Sequence, residues 1–177
     1  PGGVSGRPAP AGLEGTPAGK DSAAADQLGN AVTLVDTATG MSQTVAAGHR
    51  PVWVTLSKGG QTAYVSNQGG DSVDVVDVSA PAPIVTGQIK VGLHPNKSVL
   101  SPDGKTLYVA NGDADSVSQI DVADATVTRT LSLSPYKNAP VGSNTTGLAL
   151  DGGGKQLFVT NSGTTSVSVD DLENDKN

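Results

Sequence analysis

The sequence has no cysteine, five aromatic residues (one Trp, three Tyr, one Phe), two histidines and one methionine among 177 residues. The lack of cysteine removes disulfides, zinc-thiolate sites, cysteine nucleophiles and covalent haem attachment through C-x-x-C-H. No apolar run approaches the roughly 18 residues a membrane helix needs, so no membrane span is expected. Basic residues number 11 against 17 acidic ones, and Lys and Arg stand singly along the chain. Phosphate backbones are held by clustered cations, so nucleic acid is not expected as a partner. Ser-His-Asp spacing, a phosphate-cradling P-loop, a dinucleotide fingerprint and H-E-x-x-H are all missing. The chain opens at Pro1 without Met or an apolar signal segment, which reads as a processed or partial product.

What is abundant is Gly (23 residues) and Pro (11), together with Ser, Thr, Val and Asp. Val and Thr fit a pleated surface, while Gly, Asp and Asn supply the backbone angles of tight turns, so many short strands are expected.

The chain repeats itself. Tyr64-Val65-Ser66-Asn67 recurs as Tyr108-Val109-Ala110-Asn111 and as Phe158-Val159-Thr160-Asn161. Five residues after each Asn come Ser72-Val73, Ser116-Val117 and Ser166-Val167, and ten after it stand Asp77, Asp121 and Asp171. Upstream, the segments Ser57 to Gln61, Ser101 to Lys105 and Asp151 to Lys155 share one offset and read as hairpin turns. The spacing between the Asn residues is 44 and then 50, the excess falling in Leu133 to Ser143. Such a period suits a four-stranded propeller blade, with strands near Val52–Ser57, Thr62–Asn67, Ser72–Val78 and Ile84–Val91. Tyr64, Tyr108 and Phe158 are expected between blades, in equivalent buried positions. A fainter copy ends at Asp36, its second strand reduced to Ala23-Ala24-Ala25-Asp26, eroded or disordered. Residues 1–20 read as a flexible Pro/Gly/Ala-rich leader. The expected fold is all-β: four-stranded antiparallel blades in an incomplete ring of about three to four, partial at both ends, with periods near 21–47, 48–91, 92–142 and 143–177.

The segments Tyr64-Val65-Ser66-Asn67, Ser101 to Asn111 and Phe158-Val159-Thr160-Asn161 resemble the YVTN-type β-propeller repeat family over residues 48–172. The resemblance implies a bacterial or archaeal extracytoplasmic protein, secreted, periplasmic or at the cell surface, and a ring of about seven blades. The connection Leu131 to Ser143 is similar to those of proteins in which such a propeller precedes a phosphoesterase domain. That likeness implies a catalytic domain beyond Asn177, none of whose ligands maps onto these residues.

The residues with chemistry left over are few. His49 and Arg50, in Gly48-His49-Arg50-Pro51, and His94, in Gly92-Leu93-His94-Pro95, fall just before inner strands, near the mouth of a central channel. With Trp53 they make the candidate binding set, although loop and packing roles are the commoner fates of such residues. Asp71, Asp113 and Asp115 could offer oxygen ligands to calcium, but the Gly and distal Glu of a calcium-hand loop are missing, which favours solvated turn carboxylates. The repeated Asp36, Asp77, Asp121 and Asp171 read as turn caps, and Asn67, Asn111 and Asn161 as residues bonding the following loop. Asp170, in place of Val76 and Ile120, reads as an edge charge.

No catalytic residue, metal or cofactor is assigned. The first functional reading is a non-catalytic scaffold or interaction module whose partner is a protein, a polymer, the remainder of the same chain, or further copies completing the ring. The second is the propeller part of a secreted phosphoesterase. The third, ranked last, is an enzyme with its site on the propeller axis, for which His49, Arg50 and His94 are available.

Overall fold

In the computed structural model of the chain, residues 12–15, 21–134 and 142–174 are described. They form four antiparallel sheets. The first contains β1 (Gly12–Gly15), β2 (Asp21–Asp26), β3 (Ala31–Asp36) and β4 (Ser42–Ala46). The second contains β5 (Pro51–Leu56), β6 (Thr62–Asn67), β7 (Ser72–Asp77) and β8 (Ile84–Lys90). The third contains β9 (Pro95–Leu100), β10 (Thr106–Asn111), β11 (Ser116–Asp121) and β12 (Thr126–Ser132). The fourth contains β13 (Thr145–Leu150), β14 (Gln156–Asn161) and β15 (Ser166–Asp171). Strands pair in chain order within each sheet. The leading strands β1, β5, β9 and β13 lie side by side, whereas the outer strands β4, β8 and β12 barely meet. The sheets therefore converge on one side and splay on the other, as propeller blades do. Among the described residues no helix is long and apolar enough to cross a membrane.

Local chemistry explains the meander. Each first hairpin turns on a glycine with positive φ, at Gly60, Gly104 and Gly154, whose N–H returns to the carbonyl of Ser57, Ser101 or Asp151. The third strands end where Asp36, Asp77, Asp121 and Asp171 each accept a hydrogen bond from the backbone N–H two residues on. In the first, second and fourth sheets these bonds hold the carboxyl below its ordinary value of 3.8: the Thr39 N–H leads at Asp36, the Ser79 hydroxyl at Asp77 and the Asn174 side chain at Asp171. The cap reading of the sequence is what the geometry displays.

Three apolar clusters fill the junctions between neighbouring sheets. Ala23, Ala25 and Val32 meet Val54, Leu56, Val65 and Val76. Tyr64, Val73 and Ile89 meet Leu107, Val109 and Ile120. Tyr108, Val117 and Leu131 meet Leu148, Leu157 and Val159. The second and third sheets thus each have one face turned to the preceding sheet and one to the following sheet.

Several expectations are corrected. Phe158 is 37% exposed, against 4% for Tyr64 and 6% for Tyr108, because no sheet among the described residues covers the far face of the fourth. Gly12–Gly15, inside the expected leader, pairs with Ala25 to Ser22, so the faint first copy is a complete four-stranded sheet. Backbone pairing needs no aromatic, and the small Ala23 and Ala25 are still fully buried. Asn67, Asn111 and Asn161 do not bond the following loop; their amides reach the hydroxyls of Ser72, of Ser116 and Ser118, and of Ser168 across the sheet. Asp170 lies on edge strand β15 as expected but is half-buried. The long connection that resembles a phosphoesterase-linked one falls largely on residues 135–141, outside the described residues.

Candidate functional site

The site forms where the inner strands begin. Arg50, His94 and Asn144 each immediately precede an inner strand and adopt left-handed backbone angles, with φ of 53°, 50° and 49°. Their carbonyls accept the N–H groups of Gln68, Gly112 and Ser162, which tie the head of each inner strand to the loop after the second strand. Their own N–H groups donate backwards across the blade junction, Arg50 to Asn30 Oδ1 (2.8 Å), His94 to Asp71 Oδ1 (2.9 Å) and Asn144 to Asp115 Oδ1 (3.2 Å). Asp115 also accepts from the Gly142 N–H at 2.7 Å. Asp71 and Asp115 are therefore not solvated turn carboxylates but clips that fasten one blade to the next. Thr165 holds the matching left-handed position of the fourth sheet, with φ of 50°.

One step into the strands, the register slips in the same place three times. Pro51 faces Asn67 but Trp53 faces Ser66; Pro95 faces Asn111 but Ser98 faces Val109; Thr145 faces Asn161 but Gly147 faces Thr160. Each inner strand thus carries one residue too many, a β-bulge, and bulges re-aim side chains. Strict alternation would send consecutive residues to opposite faces. Here both Val52 and Trp53, and both Asn96 and Lys97, line one cavity of about 310 Å³ together with Thr146. A smaller cavity of about 150 Å³ lies at the far end of β5, lined by Leu34, Met41, Leu56 and Val78 among others.

Around the larger cavity the polar groups are tightly engaged, with one exception. Gln68 Nε2 donates to Asn96 Oδ1 and Asn96 Nδ2 to the Thr145 carbonyl, both at 3.0 Å, a chain spanning three sheets. Trp53 Nε1 donates to Thr55 Oγ1, which is itself bonded to Ser98. The exception is Lys97, whose Nζ lies 5.1 Å from the centre of the Trp53 ring. Among the described residues no carboxylate pairs with it. The cation–π contact compensates only part of what an ion pair would give, so the half-buried ammonium is a positive spot in a chain of net charge −6.

Of the four residues expected from the sequence, Trp53 lines this cavity, while His49, Arg50 and His94 sit exposed in the loops at its end of the strands. His94 is not isolated: its Nδ1 pairs with the Asp113 carboxylate. Among the described residues no three His, Asp or Glu side chains converge as a metal-binding set. Asn96, Lys97 and Thr146 escaped the sequence reading.

A family described as "Lactonase, 7-bladed beta-propeller" matches residues 21–130, more than half of the chain. No curated relative matches. Among solved structures, hydrazine synthase of Kuenenia stuttgartiensis is similar at 28% identity and a TM-score of 0.81, covering 97% of this chain and 50% of that one. A functionally unknown protein of Desulfotomaculum acetoxidans aligns at 19% identity and a TM-score of 0.74, over 93% of this chain and 55% of that one. A candidate 6-phosphogluconolactonase of Bacteroides uniformis gives 16% and 0.73, over 96% of this chain and 55% of its own. The chain spans about half the length of the solved structures it matches.

Proposed function

We propose a function for this chain from one premise: it belongs to the lactonase family of seven-bladed β-propellers. Within that family, the best-supported reading is a hydrolase-type propeller that receives a small lactone on its axial side. The observation that carries it is the triple bulge, which turns Trp53 and the unpaired Lys97 into one cavity beside the His94 loop. A volume near 310 Å³ falls at the small end of the range of ligand pockets. The name of the family and that of the Bacteroides uniformis neighbour point to the same substrate class.

A second reading, the non-catalytic scaffold, is favoured by a different observation. Asn30, Asp71 and Asp115, polar loop residues of the kind that carry chemistry, are engaged in joining blades. Under either reading, the exposed Phe158, Val167 and Val169 are covered in the working protein by further blades of the seven. The three agreeing repeat spacings support membership of the YVTN-type subgroup, and with it a location outside the cytoplasm; a joined phosphoesterase is supported only by the likeness of one connection.

The test is a pH-stat assay of the intact protein with a δ-lactone. Saturable acid release supports the hydrolase. Quenching of Trp53 fluorescence by the lactone without turnover supports a binding scaffold instead, and Trp53 is the single tryptophan of these 177 residues.

A further inference from the structure

We infer that His94 and Asp113 form the general base of this site and that Lys97 anchors the anionic end of its substrate. The inference rests on the hydrolase reading above and names the residues that would perform it.

His94 heads β9, and Asp113 stands on the short 3-10 turn Gly112–Ala114 that follows β10. Two backbone bonds lock these segments together, from the Gly112 N–H to the His94 carbonyl at 2.9 Å and from the Asp113 N–H to the Leu93 carbonyl at 3.3 Å. The N–H of His94 is held by Asp71. With its backbone fixed on both sides, the imidazole donates its Nδ1–H to Asp113, which leaves the lone pair on Nε2. The side chains of the pair are 48% and 56% exposed, so water reaches them.

The pair is not something the fold requires. Counterparts of Asp113 in the same backbone bond are Gly69 and Gly163, donating to His49 and Ser143, and counterparts of His94 are Arg50 and Asn144. The same turn closes without a carboxylate in both neighbouring sheets. A His–carboxylate pair built in one blade out of three, beside the cavity, is the arrangement that base catalysis uses. Lys97 follows His94 by three residues across the bulge of β9, so both stand at the head of one strand, which suits a small lactone with its ring carbonyl at His94 and a terminal anion at Lys97.

In the reaction, His94 Nε2 takes a proton from water as the water oxygen bonds to the lactone carbonyl carbon, whose π pair moves onto oxygen. When that pair returns, the ring C–O bond breaks, and the imidazolium gives its proton to the departing alkoxide. One water is added and no co-reactant is consumed. Asp113 acts as a positioning residue, fixing the tautomer and balancing the imidazolium.

The experiment uses the intact protein with neutral glucono-δ-lactone and with lactones bearing a carboxylate or a phosphate. His94→Asn should lower kcat by about 10²- to 10⁴-fold with little change in KM. Asn is chosen because Asn144 holds the same left-handed position, so the circular dichroism and melting temperature should stay as in wild type. Asp113→Asn should lower kcat less and move the acid limb of the pH–kcat profile, and Asp113→Glu should restore part of the loss. Lys97→Met should raise KM for the anionic lactones and not for the neutral one, and the larger rise tells carboxylate from phosphate. If wild type hydrolyses no lactone, the hydrolase reading falls and this assignment with it. If wild type is active and folded His94→Asn keeps its kcat, or Asp113→Asn leaves the pH profile in place, the base assignment alone is overturned. An equal KM change for neutral and charged lactones overturns the role of Lys97.

Discussion

Tyr108 and Phe158 hold the same place in the repeat, yet one is buried against Leu148, Leu157 and Val159 while the other is 37% exposed beside Val167 and Val169. Their own sheets are built alike, with the same turn, the same bulge and the same Asn to Ser bond. Burial in this architecture is therefore a property of the next sheet rather than of the residue. The same contrast holds for polar groups: Asp115 fastens the third sheet to the fourth through two N–H groups, and Thr165 stands in that position on the fourth.

The largest test of this contrast is aromatic truncation. Tyr108→Ala should destabilise the 177-residue chain by about 3–5 kcal/mol, because it opens a cavity between two sheets. Phe158→Ala should cost well under about 1 kcal/mol, having no neighbouring sheet to lose. Urea unfolding followed by Trp53 fluorescence measures both. Equal losses would mean that another blade or another copy covers the fourth sheet in solution.

Next in size is the clip. Asp115→Ala removes the acceptor for the Gly142 and Asn144 N–H groups and should cost about 2–3 kcal/mol, the range for bonds to a charged group, with further strain from Ala at a φ of 44°. Thr165→Ala should be close to neutral. A loss at Asp115 no larger than at Thr165 would show that the clip does not hold the blades together.

The sequence announced the periodic parts of this molecule because they recur at fixed spacing: the glycine turns, the Asp caps and the third strands. It was silent wherever the determining partner lies outside the period. Asp71 looked like a turn residue because its partner, His94 N–H, is 23 residues away in the following blade. The first strand, Gly-Leu-Glu-Gly at 12–15, carries no apolar alternation and is placed by its backbone pairing with β2. Trp53 was legible as a candidate, but Lys97 was not, since a bulge inserted into an otherwise regular strand leaves no trace in hydrophobic periodicity. The axial enzyme, ranked last from sequence, rises to the leading proposal once the bulges bring Trp53, Asn96 and Lys97 to one cavity and Asp113 joins His94.

A smaller effect sharpens the comparison at Thr165. A β-branched residue at φ of 50° is strained, whereas the counterparts Asn30, Asp71 and Asp115 are of the types that tolerate this region. Thr165→Asn should stabilise the chain by about 0.5–1 kcal/mol through relief of that strain. No change on thermal unfolding would mean that the fourth sheet holds a β-branched residue at this φ without cost.

The smallest effect is the response to acid, and its sign follows from the caps. Asp36, Asp77 and Asp171 have folded pKa values lowered from 3.8 by the hydrogen bonds their carboxylates accept, while in the unfolded chain they return to that value. Below 3.8 the unfolded state therefore binds more protons than the folded one, and their contribution, complete at neutral pH, fades as pH falls from 3.8 through the lowered folded values. Asp171 is exposed and Asp36 and Asp77 are only part-buried, so solvent screening keeps each contribution small. The replacements Asp36→Asn, Asp77→Asn and Asp171→Asn retain an oxygen that accepts the turn N–H groups and remove the titration. The triple variant should thus match wild type within a few degrees at neutral pH on thermal unfolding and lose less stability than wild type as pH falls below 3.8. Identical acid sensitivity in the two proteins would place the titrating groups elsewhere, with Asp103 and Asp151, held low first by the Ser101 hydroxyl and the Gln156 N–H, as the next carboxylates to replace.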